Sequence, residues 1–251
     1  MIDLTQNYIL PLLFGAGLLA GTVDAIMGGG GLITLPVLLG VGIPPHLALG
    51  TNKFQASFGT SIATWRYYRQ GWLSFKIMVL GMLPVLSGAS LGALLSQYLS
   101  SVILSKLMPV LLILILIYTL FSPKLGIEER HPKVREITFY SVMGLLLGFY
   151  DGFFGPGTGS LWMFALVFFL GYSLPKATAY TKICNLYSNL AALLWFAIGH
   201  QVDYRIGLVM AMGQMLGGWL GAHLAIHKGA VIIRPLFISV VTATIVMLVY
   251  H

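Results

Sequence analysis

Apolar residues recur in blocks of about 20 along the chain, the length at which an α-helix crosses a hydrocarbon core about 30 Å thick. Eight blocks are separated by short polar turns: 8–42, 46–68, 73–97 and 102–121, then 138–171, 175–198, 204–226 and 232–250. The one strongly polar stretch, 122–137, divides them into a first repeat (8–121) and a second (138–250). The first block of each half is too long for one span. It is interrupted by Met27-Gly28-Gly29-Gly30-Gly31 in one half and by Gly155-Pro156-Gly157-Thr158-Gly159 in the other. Each Gly costs a helix about 1 kcal/mol and Pro about 3 relative to Ala. Both blocks are therefore predicted as two helical pieces meeting in irregular backbone.

The halves repeat one another. At an offset of 127, Asp24 aligns with Asp151, Gly17 with Gly144, Gly21 with Gly148, Gly28 with Gly155 and Gly30 with Gly157. After two inserted residues, an offset of 129 aligns Gly42 with Gly171, Lys53 with Lys182, Gly88 with Gly217 and Gly92 with Gly221. Matched leucines are cheap in an apolar chain; a matched Asp and a matched Lys are not.

Composition fits a lipid solvent. Of 251 residues, 14 are Lys or Arg and 7 Asp or Glu, so 8% are charged, against about 25% in soluble proteins. Hydrophobic residues reach 58% and mean hydropathy is +0.90. Such a chain cannot cover a soluble surface, which excludes a cytosolic enzyme, a disordered protein and a disulfide scaffold. The single cysteine, Cys184, has no intramolecular partner. The segment Met1–Asn7 lacks the basic stretch of a cleaved signal peptide.

The net charge of +7 sits in short loops: Arg66, Arg69 and Lys76; Lys124, Arg130, Lys133 and Arg135; Lys228 and Arg234. That is the positive-inside distribution, and no nucleic-acid partner is expected. With 66–76, the linker and 226–234 inside, 97–102 and 199–204 fall outside. Equivalent loops then lie on opposite faces, which requires an odd number of crossings per half. The predicted fold is an all-α polytopic membrane protein: two inverted repeats, six full spans and two broken, re-entrant helical hairpins. Parallel repeats of four spans each are the alternative.

Irregular backbone at membrane depth is tolerated where protein buries it or a cavity needs it. Helices restarting after the breaks, at Leu32 and Ser160, would point free N–H groups and positive dipole ends at an anion. Candidate ligands there are Gly30, Gly31, Thr158, Gly159 and Ser160. Asp24 and Asp151 immediately precede the breaks, and intramembrane carboxylates mark pathways or proton relays; capping the following half-helix is the other role open to them. Lys182, Asn185 and Asn189 share a helical face, as do Lys53, Ser57 and Thr60; with Asn52 they offer a cation and amide donors to an oxyanion. Snorkelling to the interface is the bland alternative for both lysines. Gly88/Gly92 and Gly217/Gly221 are read as helix-packing contacts.

Other chemistry finds little support. His223 and His227 have a metal pair's spacing but no third ligand nearby, so no metal and no cofactor is expected. The glycine clusters match no nucleotide-binding motif. Trp65, Tyr67, Tyr68 and Trp72 beside Arg66 and Arg69 are read as an interfacial aromatic belt.

The run Asp24-Ala-Ile-Met-Gly-Gly-Gly-Gly-Leu-Ile-Thr-Leu-Pro36 with Gly50-Thr-Asn-Lys53 resembles the first-repeat signature of the TauE/SafE sulfite exporter family. Gly148-Phe-Tyr-Asp-Gly-Phe-Phe-Gly-Pro-Gly-Thr-Gly-Ser160 and Lys182-Ile-Cys-Asn-Leu-Tyr-Ser-Asn189 resemble its second. The likeness covers nearly the whole chain. It implies a multi-pass transporter of sulfur-containing anions in the bacterial cytoplasmic membrane, coupled to protons. The expected partners are the anion and the lipid bilayer, with homo-oligomerisation left open. On this reading the half-helix starts, with Asn52, Thr158, Ser160, Asn185 and Asn189, bind the anion. Lys53 and Lys182 balance its charge, and Asp24 or Asp151 carries the proton. The competing classes are an anion channel and a non-transporting membrane partner protein.

Overall fold

The computed structural model describes residues 9–121 and 131–228; residues 122–130 of the linker and the predicted block 232–250 lie outside the described residues. Within them the chain forms nine helices and no strand: α1 (Ile9–Met27), α2 (Gly31–Gly40), α3 (Pro45–Arg69), α4 (Phe75–Tyr98), α5 (Ser101–Phe121), α6 (Glu136–Phe153), α7 (Thr158–Leu170), α8 (Leu174–Ile198) and α9 (Tyr204–Lys228). Both long first blocks are split at their glycines. The second pieces begin at Gly31 and Thr158, slightly earlier than Leu32 and Ser160, because Gly30 and Gly157 serve as the N-caps. Gly157 has φ 78°, a conformation that costs glycine little.

By length and composition α1, α4 and α9 are long and apolar enough to cross a membrane. Helices α3 and α8 are less apolar because polar runs occupy their middles. Each of these two opens on a proline in its first turn, where the missing N–H is no loss.

Glycines let main chains touch where α1 lies along α9 and α4 along α6. A Cβ on Gly21 would stand 2.6 Å from the Gln214 carbonyl oxygen, and one on Gly148 2.7 Å from that of Val85. Gly21 and Gly148 are repeat equivalents, and so are Val85 and Gln214. Gly88 meets Leu145 and Phe149, while its equivalent Gly217 meets Leu18 and Thr22. The predicted small-residue contacts are therefore helix-packing contacts. Each half packs its first helix against the third segment of the other half.

The same exchange occurs at the helix ends. Ser74, beyond α3, donates its N–H to the Tyr180 hydroxyl near the start of α8 at 2.9 Å. Asp203, beyond α8, donates to Thr51 Oγ1 near the start of α3, also at 2.9 Å. Helices α3 and α8 thus lie side by side in opposite directions. The α6–α7 segment doubles back: Lys133 N–H, just before α6, donates to the Phe169 carbonyl near the end of α7 at 2.8 Å.

Two apolar cores flank a polar layer. One gathers Ile9, Leu38, Ile43, Leu49, Phe196 and Ile206; the other gathers Ile26, Tyr67, Leu73, Trp162, Leu170 and Tyr180. On α3 the polar run from Thr51 to Thr60 lies between Leu49 of the first core and Ala63 of the second. Tyr67 does not belong to a surface belt as the sequence pattern had it. It is fully buried, its ring stacked on Trp72 and its hydroxyl donating to the Ala25 carbonyl at 2.7 Å. Trp65 and Tyr68 are exposed.

Candidate functional site

Each carboxylate beside a break is paired with a lysine from the other half of the chain. Lys53 Nζ on α3 lies 2.6 Å from Asp151 Oδ1 on α6, with side chains 2% and 5% exposed. Lys182 Nζ on α8 lies 3.0 Å from Asp24 Oδ2 on α1, with side chains 0% and 15% exposed. Lys53 also donates to Asn189 Oδ1 at 3.3 Å, and Lys182 to the Asp24 carbonyl oxygen. An isolated charge at such depth carries a penalty of several kcal/mol, which a close partner and further hydrogen bonds offset. Neither lysine snorkels, because both ammonium groups end inside the protein.

The carboxylates sit in different surroundings. Asp24 Oδ1 accepts the backbone N–H groups of Gly29 at 3.2 Å and Gly30 at 3.3 Å, so it holds the main chain of the break itself. Asp151 instead accepts side-chain hydroxyls: Thr158 on Oδ1 at 3.2 Å and Ser188 on Oδ2.

The two breaks touch. A Cβ on Gly28 would overlap the Cα of Gly159, and one on Gly159 would overlap the Cα of Gly28. One on Gly31 would come 3.1 Å from Pro156 Cα, and Ser160 Oγ reaches the Gly28 carbonyl at 3.4 Å. A Cβ on Gly155 would stand 2.7 Å from Lys53 Nζ. Gly30, Gly31, Thr158, Gly159, Ser160, both ion pairs and Asn189 thus converge on one region. Asn185 joins them, its Nδ2 3.0 Å from where a Gly159 Cβ would stand, while its buried Oδ1 has no partner.

Asn52 meets this centre only through Thr34, whose Oγ1 lies 3.1 Å from the Gly30 carbonyl. Asn52 Oδ1 accepts from Thr34 on α2 at 2.5 Å and from Gln55 at 2.8 Å, bracing α2 against α3. Sequence reasoning missed Ser188, Thr34 and Gln55. Ser188 was within reach, being one helical turn from Asn185; Thr34 carried no signal, since its role depends on how α2 folds back.

Among the described residues no three His, Cys, Asp or Glu side chains gather as a metal site would need. Arg66 Nη2 lies 3.2 Å from His223 Nδ1, and a guanidinium can only donate. A cavity of about 290 Å³ lies elsewhere, lined by Gly71, Trp72, Ser173, Pro175 and Lys176, where the α3–α4 and α7–α8 loops meet.

Residues 13–248 match the family described as sulfite exporter TauE/SafE. The chain is 44% identical over 230 residues to a probable membrane transporter protein of Haemophilus influenzae, covering 92% of this chain and 90% of that one. It is 42% identical over 241 residues to the probable membrane transporter protein ORF9 of a Sinorhizobium species, covering 96% and 92%. To the probable membrane transporter protein YfcA of Escherichia coli K12 it is 40% identical over 242 residues, covering 96% and 90%. No solved structure matches.

Proposed function

Because the chain belongs to the sulfite exporter TauE/SafE family, we propose that it is a proton-coupled secondary transporter of a small sulfur-containing anion. Sulfite, a sulfonate or a related ion would cross the bacterial cytoplasmic membrane by alternating access. The relatives' names accord with a membrane transporter rather than an enzyme.

In this reading the halves are inverted repeats, with six spans and two re-entrant hairpins. The antiparallel course of α3 and α8, the doubling back of α6–α7 and the exchanged glycine contacts all support it. Helices α1, α3 and α9 pack together, as do α6, α8 and α4, and the two units meet extensively along α3 and α8. Both ion pairs cross between these units, beside the touching breaks. That placement is the observation that carries the proposal, since relative motion of the units must break or remake both pairs.

A proton reaching a carboxylate removes its charge and leaves the paired lysine unbalanced in a low-dielectric site. An entering oxyanion supplies the missing charge, with the N-termini of α2 and α7 alongside. Proton and anion occupancy are coupled in this way, and the gradients set the direction.

Flux into proteoliposomes tests this with sulfite, sulfoacetate, taurine and thiosulfate as probes. Saturable uptake driven by a pH gradient is expected for at least one of them. An ohmic current would indicate a channel, and no flux of any probe would indicate a non-transporting partner protein.

A further inference from the structure

The two ion pairs are chemically unequal, although the repeats that carry them are alike. Asp24 is held by main chain, from Gly29 and Gly30, together with Lys182. Asp151 is held by the hydroxyls of Thr158 and Ser188, together with Lys53. The repeat offsets put Gly31 where the second half has Thr158, and Gly59 where it has Ser188. Both hydroxyls are therefore missing beside Asp24. The space that a side chain at Gly59 would need is taken by Gln214, whose Oε1 a Cβ there would overlap.

A backbone N–H can only donate. Protonating Asp24 would weaken two charge-assisted hydrogen bonds and set an O–H beside backbone and ammonium groups that can only donate. A hydroxyl can turn instead. Ser188 Oγ has the carbonyls of Cys184 and Asn185 each at 3.1 Å, and Thr158 Oγ1 has that of Gly155 at 2.6 Å. Ser188 can pass its hydrogen bond to a carbonyl and accept one from a neutral Asp151. Lys53 meanwhile keeps Asn189 Oδ1.

We propose that Asp151 alone takes up and returns the transported proton, with Ser188 as its reorienting partner, while Asp24 and Lys182 stay ionised throughout. This rests on the proton-coupled reading above and names the group that does the coupling. Asp151 is faced by Lys53 from α3, Thr158 from α7 and Ser188 from α8. Helix α4 meets α6 through Pro84, Val85, Gly88, Ala89 and Gly92, none of them titratable. Tyr150, on the same helix as Asp151, turns its hydroxyl to the Pro156 carbonyl at 2.7 Å. Asp24 is faced by Lys182 from α8, and Tyr67 from α3 donates to the next carbonyl; Gln214 from α9 stands against Gly21, one turn before Asp24. When Asp151 is neutral the unbalanced cation is Lys53, so the anion meets Lys53 and not Lys182.

Infrared difference spectroscopy during acid titration of the lipid-reconstituted protein reads the C=O stretch of a neutral carboxylic acid without any substrate. D151N is expected to lose a titrating buried-acid band that D24N retains. S188A, which lacks only a hydroxyl, is expected to keep that band but shift its frequency and midpoint. A band that persists in D151N, or that disappears in D24N, overturns the proposal. Should D151N fail to fold, S188A decides: an unmoved band there overturns it too. Absence of pH-driven flux in the wild type would instead count against the transport reading, leaving the band assignment standing.

Discussion

Lys53 Nζ stands 2.6 Å from Asp151 Oδ1, although 98 positions of chain separate the two residues and each lies in a different half of the chain. Removing one partner of a buried pair leaves an uncompensated charge, at about 3–5 kcal/mol. Lys53→Met or Asp151→Leu alone should therefore lower the unfolding midpoint sharply in detergent. The double variant Lys53→Met/Asp151→Leu should recover most of that loss yet remain without flux. Recovery of transport in the double variant would show that the pair is structural only.

The meeting of the two breaks predicts a contrast between glycines. Gly159→Ala places a methyl group on the Gly28 main chain, and little folded protein should survive gel filtration. Gly15→Ala meets nothing within 4 Å, and replacing a helical Gly stabilises by up to about 1 kcal/mol. Equal thermal stability for the two variants would contradict the observed contact.

Asn52 and Asn185 were both read from sequence as candidate ligands, and the structure separates them. Asn52→Ala strips the buried Thr34 and Gln55 side chains of their shared partner. It should cost about 1–3 kcal/mol of stability. Asn185→Ala removes a side chain whose Oδ1 has no partner; it should leave stability within about 0.5 kcal/mol and weaken anion affinity. Isothermal binding and thermal unfolding of both variants read the difference.

Membrane orientation can be checked with the lone thiol. Cys184 is fully buried, so Cys184→Ala gives a cysteine-free background at modest cost. Ser74→Cys and Gln201→Cys occupy equivalent loops of the two halves. Under inverted repeats a membrane-impermeant maleimide labels them from opposite faces; labelling from one face would restore the parallel arrangement.

Much of the architecture could be read from one dimension. Block length gave the described helices, and glycine and proline runs gave both interruptions, because helix propensity and lipid solubility act locally. The buried cluster was also legible as residue types. Which lysine meets which carboxylate was not, since that depends on α3 lying antiparallel to α8 and on each first helix packing against the opposite half. Tyr67 was misplaced for the same reason: its neighbours Trp65 and Tyr68 are exposed, whereas its own contacts, Ala25 and Trp72, are set by packing.

The chain by itself determined where helices start and stop, that the two halves are alike, and that acids and lysines lie within apolar blocks. These follow from hydropathy and backbone cost, which need no partner. Only the tertiary structure decided that the pairs cross between halves, and that one carboxylate rests on main-chain donors while the other rests on hydroxyls. Hydrogen bonds and ion pairs act over a few ångströms, so their partners exist only once distant segments have been packed together.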